Sequence, residues 1–254
     1  MWRPRLALAV VCLPLAVLMR WGAPAVDSGA LPRAEETADR PAAPRPYVVP
    51  RVAWGADEQM VREPPAYVDR VRAVVVHHTD HVNDYDCDHV PALLRGLQRD
   101  HVESEGWDDV GYQYVVDRCG TVYEGRGGDG AHTVRGAHTK GFNKETVGIA
   151  ALGTFDEGTH VPRAMLDAIA AVAAWQLDPG ADPHGRVRLT STNDASRYPK
   201  GTRATFDVIT GHRAGYETDC PGDALAAKLP LLRDETERLR NAAERRHAAE
   251  RRRG

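Results

Sequence analysis

The stretch Ala73–Thr79, AVVVHHT, limits the possible folds more than any other part of this chain. It is an apolar, mostly β-branched run bounded by Arg72 and Asp80, the pattern of a strand buried on both faces in the middle of a sheet. Side chains alternate along a strand, so His77 and His78 point to opposite faces and only one of them can serve a site on a given face. Two later stretches, Gly211-His212-Arg213 and Thr218-Asp219-Cys220-Pro221, add a second imidazole and a thiolate. Three such ligands, with a fourth position left for water, are what a catalytic zinc needs.

The rest of the pattern builds a frame around that strand. Gly111–Asp117 reads as a second strand, turned by Arg118-Cys119-Gly120 into a partner at Thr121–Glu124. Thr146–Leu152 reads as a central strand and Val208–Thr210 as a brief one leading to His212. Helical spacing follows Asp88 as an N-cap, with Val90, Leu93, Leu94, Leu97 and His101 on one face. It recurs after Thr159 and Pro162 (Met165, Ile169, Val172, Ala173 and Gln176) and after Gly222-Asp223 (Leu225, Leu229 and Leu232), the last helix kinked by Pro230. Val48–Trp54 is expected to be extended, and 178–207 a long loop holding one short strand near Arg186–Thr190. The fold class is α/β, a central mixed β-sheet flanked by α-helices in a single domain.

The 254 residues divide into four parts. Residues 1–25 read as a signal peptide: Arg3 and Arg5, an apolar run from Leu6 to Met19, then Ala23-Pro24-Ala25. Residues 26–46 read as a flexible spacer rich in Pro, Ala, Glu and Arg, 47–235 as the folded domain and 236–254 as a charged tail. The net charge of −3 is uneven: 233–254 hold eight Arg against five Asp and Glu, the first twenty residues hold three Arg, and the body is left at −9. Such a body has no electrostatic footprint for nucleic acid. Setting Cys12 aside with the signal leaves Cys87, Cys119 and Cys220, an odd number for an exported protein. Cys87 and Cys119 lie in loop-like contexts that suit a disulfide, and Cys220 remains for a metal.

The blocks VVVHHT, GWDDVGYQYVVDRCGTVYEGR, GAHTKGFN, TVGIAALGTF and GHRAGYETDCPGDAL, taken in that order, resemble the peptidoglycan recognition proteins, which belong to the type 2 N-acetylmuramoyl-L-alanine amidases. The resemblance covers about residues 47–235. It implies a zinc site at the floor of a groove, with His77, His212 and Cys220 as ligands, Tyr112 as the catalytic tyrosine and Thr218 as the small polar residue before the cysteine. It places His138, Thr139 and Asn143 along the substrate groove. Gly106, Trp107 and Arg126 match positions that accompany diaminopimelic-type stem peptides, and a guanidinium can hold the extra carboxylate of diaminopimelate bidentately.

The resemblance thus implies a secreted or cell-wall-associated monomer that uses Zn2+ to hydrolyse the amide between N-acetylmuramic acid and L-alanine of peptidoglycan or muropeptides. Members that only bind peptidoglycan usually lack the cysteine, so Cys220 favours the enzyme over a receptor module. A zinc peptidase acting within the stem peptide shares the metal chemistry and differs only in its product. No HExxH helix supplies a glutamate base.

Overall fold

The computed structural model describes residues 43–253; the expected signal peptide and most of the expected spacer lie outside them. In chain order the elements are β1 (Val48–Val49), α1 (Arg51–Trp54), β2 (Ala73–His78), α2 (Val90–Arg99), β3 (Tyr114–Val116), β4 (Val122–Glu124), β5 (Thr146–Ala151), α3 (Arg163–Gln176), β6 (Arg186–Thr190), β7 (Arg203–Asp207), β8 (Ile209–Gly211), α4 (Asp223–Ala226) and α5 (Leu229–Arg251). Six strands form one mixed sheet in the order β1-β4-β3-β5-β2-β8. Every neighbouring pair is parallel except the β3–β4 hairpin.

β2 and β5 are paired along their whole length, from Ala73 opposite Thr146 to His78 opposite Ala151. Alternation then divides their side chains between two cores. Val74, Val76, Val147 and Ile149 pack with Met165, Ile169 and Val172 of α3 and Leu232 of α5. Ala150 and Val115 face the other way, among Trp54, Val90, Leu94 and Leu97. Because β2, β3, β5 and β8 run in the same direction, their carboxyl ends share one edge, where ligands of open α/β sheets usually bind. The disulfide joins Cys87, at the approach to α2, with Cys119 in the β3–β4 turn.

Several elements differ from the sequence expectation. The extended lead-in is two residues of β1 followed by α1, started by Pro50 and closed by Gly55 at φ 74°. Asp86, not Asp88, caps the approach to α2 by accepting from the N–H of Asp88. The 178–207 segment contains an antiparallel hairpin, β6 with β7, whose alternate residues Val187, Leu189, Ala204 and Phe206 are buried. Pro230 does not kink a helix; it sits in the first turn of α5, after a separate α4.

The charged tail is not free either. α5 continues past residue 235 to Arg251 and buries Thr236, Arg240 and Ala243. The Arg240 guanidinium donates to the carbonyls of Leu177, Asp178 and Pro179 at 2.7–3.1 Å, beyond the end of α3. Ala43, at the end of the expected spacer, packs with Ala174 and Ala243, and Arg45 stacks 5.0 Å over Trp175.

Candidate active site

The carboxyl edge of the sheet gathers the chemistry. His77, the last but one residue of β2, is fully buried and faces away from α3. β8 ends at Gly211 and delivers His212 in the turn that follows. Cys220 arrives after a loop; its thiol is free, and the N–H of His78 points at Sγ over 3.4 Å. Ligand atoms of His77, His212 and Cys220 all lie within 4.8 Å of one another, with Cys220 Sγ 3.7 Å from His77 Nδ1. His78, on the opposite strand face, is half-buried and outside the group.

The electrostatics fit a cation there. Burial, with His212, His138 and His78 close by, holds His77 neutral well below the usual imidazole range. Burial takes His212 down to about 4. Burial pushes the Cys220 thiol up to about 12, so a metal entering the site has to displace its proton. Two neutral imidazoles and a thiolate are donor types that suit zinc.

Around this group the expected residues divide. The Tyr112 ring lies 5.1 Å from that of His77, and burial keeps its phenol protonated through the neutral range. Thr218 Oγ1 accepts the N–H of Cys220 at 3.2 Å, which leaves its own proton to donate. Trp107 is half-buried and packs 4.5 Å from the His101 ring.

The other four take up structural bonds. His138 and Thr139 do not stand on an open surface: they are 4% and 2% exposed, and His138 Nδ1 sits 3.0 Å from His77 Nε2. The space for an imidazole there comes from Gly136 and Gly148, whose missing side chains the ring occupies. Asn143 Oδ1 accepts the N–H groups of His138 and Thr139 at 3.0 and 2.8 Å and so clamps their loop. Arg126 is buried, with Nε bonded to the Val110 carbonyl at 2.8 Å and one terminal nitrogen to that of Asp109 at 3.3 Å. In this position it does not offer the bidentate face expected of it.

Two residues that the sequence reading passed over support the site. The buried Gln113 bonds the N–H of Gly148 and the carbonyl of Val134, tying β5 to the loop before His138. The buried Asp109 accepts from Gly127 N and pairs with Arg51 at 3.0 Å, fastening the loop that carries Arg126. The available signal was a polar residue set among apolar ones in DVGYQYVV.

Comparison with known proteins places this arrangement. A family model described as N-acetylmuramoyl-L-alanine amidase matches residues 67–223. Human and pig N-acetylmuramoyl-L-alanine amidases are 36% and 34% identical over 183 residues, 71% of this chain. That match spans about a quarter of their own length, 27% and 26%. Among solved structures, wild-type Drosophila PGRP-LB is 25% identical, with a TM-score of 0.54 over 72% of this chain and 92% of that one. Peptidoglycan recognition protein LE, solved with tracheal cytotoxin, a monomeric diaminopimelic acid-type peptidoglycan, shares the fold at 23% identity and a TM-score of 0.56, over 72% of this chain and 92% of that one. By its sequence and by its fold, this chain belongs to the N-acetylmuramoyl-L-alanine amidase family.

Proposed function

We propose that the protein is an exported zinc amidase that cuts the bond between N-acetylmuramic acid and L-alanine in peptidoglycan fragments. The observation that carries this reading is the convergence of His77, His212 and Cys220 at the carboxyl ends of β2 and β8, beside Tyr112 from the approach to β3. His77, His212 and Cys220 would hold the metal. When bound, zinc polarises a carbonyl and lowers the pKa of a water.

This chain's own residues do the rest. A protonated Tyr112 donates a hydrogen bond to the oxyanion of the tetrahedral intermediate. Thr218, whose Oγ1 accepts the N–H of Cys220, donates its own proton to the same oxygen or to the attacking water. The substrate class proposed is a muropeptide of the diaminopimelic type, as in the PGRP-LE complex. With Arg126 tied to two carbonyls, recognition of the extra carboxylate requires that side chain to turn outward. Export agrees with the Cys87–Cys119 disulfide, a bond that persists in oxidising compartments. Among the described residues no helix is long and apolar enough to cross a membrane.

The test is incubation of the zinc-loaded chain with a defined diaminopimelate-containing muramyl peptide, with products identified by mass spectrometry and Cys220→Ser as control. Release of an intact stem peptide beginning at L-alanine, absent in the control, is the expected result. Binding without cleavage would make the protein a receptor, and cleavage inside the stem would make it a peptidase.

A further inference from the structure

The buried side of His77 carries a further inference, which rests on the metal-ligand reading above. Its ring presents Nδ1 toward Cys220 Sγ at 3.7 Å and Nε2 toward His138 Nδ1 at 3.0 Å. A neutral imidazole has one N–H and one lone pair, so the tautomer decides which nitrogen can bind a metal. What lies behind His138 fixes that choice.

His138 Nε2 is 3.4 Å from Thr146 Oγ1. The Thr146 hydroxyl lies 2.5 Å from the carbonyl of Phe142. A carbonyl only accepts. The Thr146 proton is therefore spent on Phe142, its oxygen is left to accept, and His138 Nε2 has to carry the ring proton. His138 Nδ1 then holds the lone pair, and the hydrogen in the 3.0 Å contact has to come from His77 Nε2. His77 Nδ1 keeps its lone pair on the side where Cys220 and His212 gather. Thr139 Oγ1, 3.0 Å from His138 Nδ1 and 3.5 Å from His77 Nε2, adapts to this order by rotating its hydroxyl.

We propose that His138 is a positioning residue: a polarised chain from the Phe142 carbonyl through Thr146 and His138 locks His77 as the Nε2–H tautomer and presents Nδ1 as the metal-binding atom. The fold prevents His138 from turning away. A Cβ at Gly136 would fall 2.6 Å from the ring and one at Gly148 2.4 Å from it, so the imidazole fills a slot cut to its thickness. Partners behind a metal-binding histidine orient it and set its basicity, and their loss costs about 10–100-fold in metal affinity.

The first measurement is a long-range 1H–15N correlation spectrum of the metal-free chain labelled at histidine. It reports the tautomer of each ring and needs no variant. The expected spectrum has His77 protonated on Nε2; protonation on Nδ1 would overturn the proposal. The second measurement is zinc affinity by chelator competition. His138→Phe fills the slot without a nitrogen and is expected to weaken zinc binding about 10–100-fold. His138→Asn, with an oxygen in place of Nδ1, is expected to recover most of it. A space-filling role alone would leave His138→Phe within about threefold of wild type and would refute the relay. A wild-type chain with the expected tautomer but no affinity for zinc would refute the metal reading and leave the hydrogen-bond order intact.

Discussion

Replacing Gly148 by Ala is the sharpest perturbation of this slot, because its ordinary effect has the opposite sign. Gly148 lies in β5 opposite Val75, with no positive φ, and a glycine inside a strand is usually worse than alanine by about 0.5–1 kcal/mol. Here the added Cβ would stand 2.4 Å from Cγ of His138 and 2.7 Å from its Cδ2 and Nδ1. Carbon atoms rest at roughly 3.5–4.0 Å, so the ring has to move by about an ångström. It has nowhere to go: His77 and Thr146 hold it in its plane, and the slot closes again at Gly136. Overpacking costs about 1–3 kcal/mol, and leaving His77 Nε2 or Thr146 without a partner about 1–3 more. After the strand-propensity gain the net loss is about 1–5.5 kcal/mol. At about 2–4 °C per kcal/mol for a domain of this size, Tm falls by about 2–22 °C. Calorimetry with Gly96→Ala alongside provides the contrast. That glycine has nothing within 4 Å of its virtual Cβ inside α2, so its replacement is expected to stabilise by about 0.5–1 kcal/mol. A Gly148→Ala protein that melts at or above wild type with full zinc affinity would show that the ring is not confined as described.

Two further outcomes follow from buried groups away from the metal. Arg240→Ala removes three hydrogen bonds to carbonyls beyond the end of α3 and is expected to cost about 2–4 kcal/mol in chemical denaturation; an unchanged midpoint would return the helix beyond residue 235 to the status of a tail. His101 accepts the N–H of Gly111 through Nδ1, and burial takes its pKa down to about 4, against smaller opposing help from Asp100 and with Arg126 and His81 lowering it further. Its depressed folded pKa means that stability is intact above about 6.5 and is lost as pH falls from there toward 4, by up to about 3 kcal/mol. His101→Asn, which keeps an acceptor that does not titrate, is expected to flatten the stability profile in that window, and an unflattened profile would assign the acid loss elsewhere.

The parts of the site legible in the sequence were those in which residue type and local period agree. AVVVHHT gave a buried strand with histidines at its end, and β2 spans Ala73–His78. Odd cysteine arithmetic separated a bonded pair from a free thiol, and the structure shows the same division. The order of strands was not legible, because period 2 says that a segment is a strand and nothing about its neighbour: no local signal pairs Val48–Val49 with Val122–Tyr123. The burial of His138 was not legible for a related reason. GAHTKGFN is short, polar and glycine-bearing, the composition of a solvated loop, yet its glycines make room for a buried ring instead of turning the chain in water.

Arg240 shows the same limit from the energetic side. Hydropathy cannot distinguish an arginine facing water from one facing carbonyls, since the side chain is the same and only its partners differ. The distinguishing information lies about sixty residues upstream. α3 ends at Gln176 with Leu177 already extended, followed by Asp178 and Pro179 and by no glycine cap. The Asp178 carbonyl accepts locally from the N–H of Ala181, but those of Leu177 and Pro179 find their donor in Arg240, and buried carbonyls without donors are costly. A helix that ends this way calls for a donor from elsewhere in the chain, and a long charged helix is the element that can carry one. The uncapped end of α3 and Arg240 of α5 are two halves of one contact, and that contact makes the charged segment part of the fold.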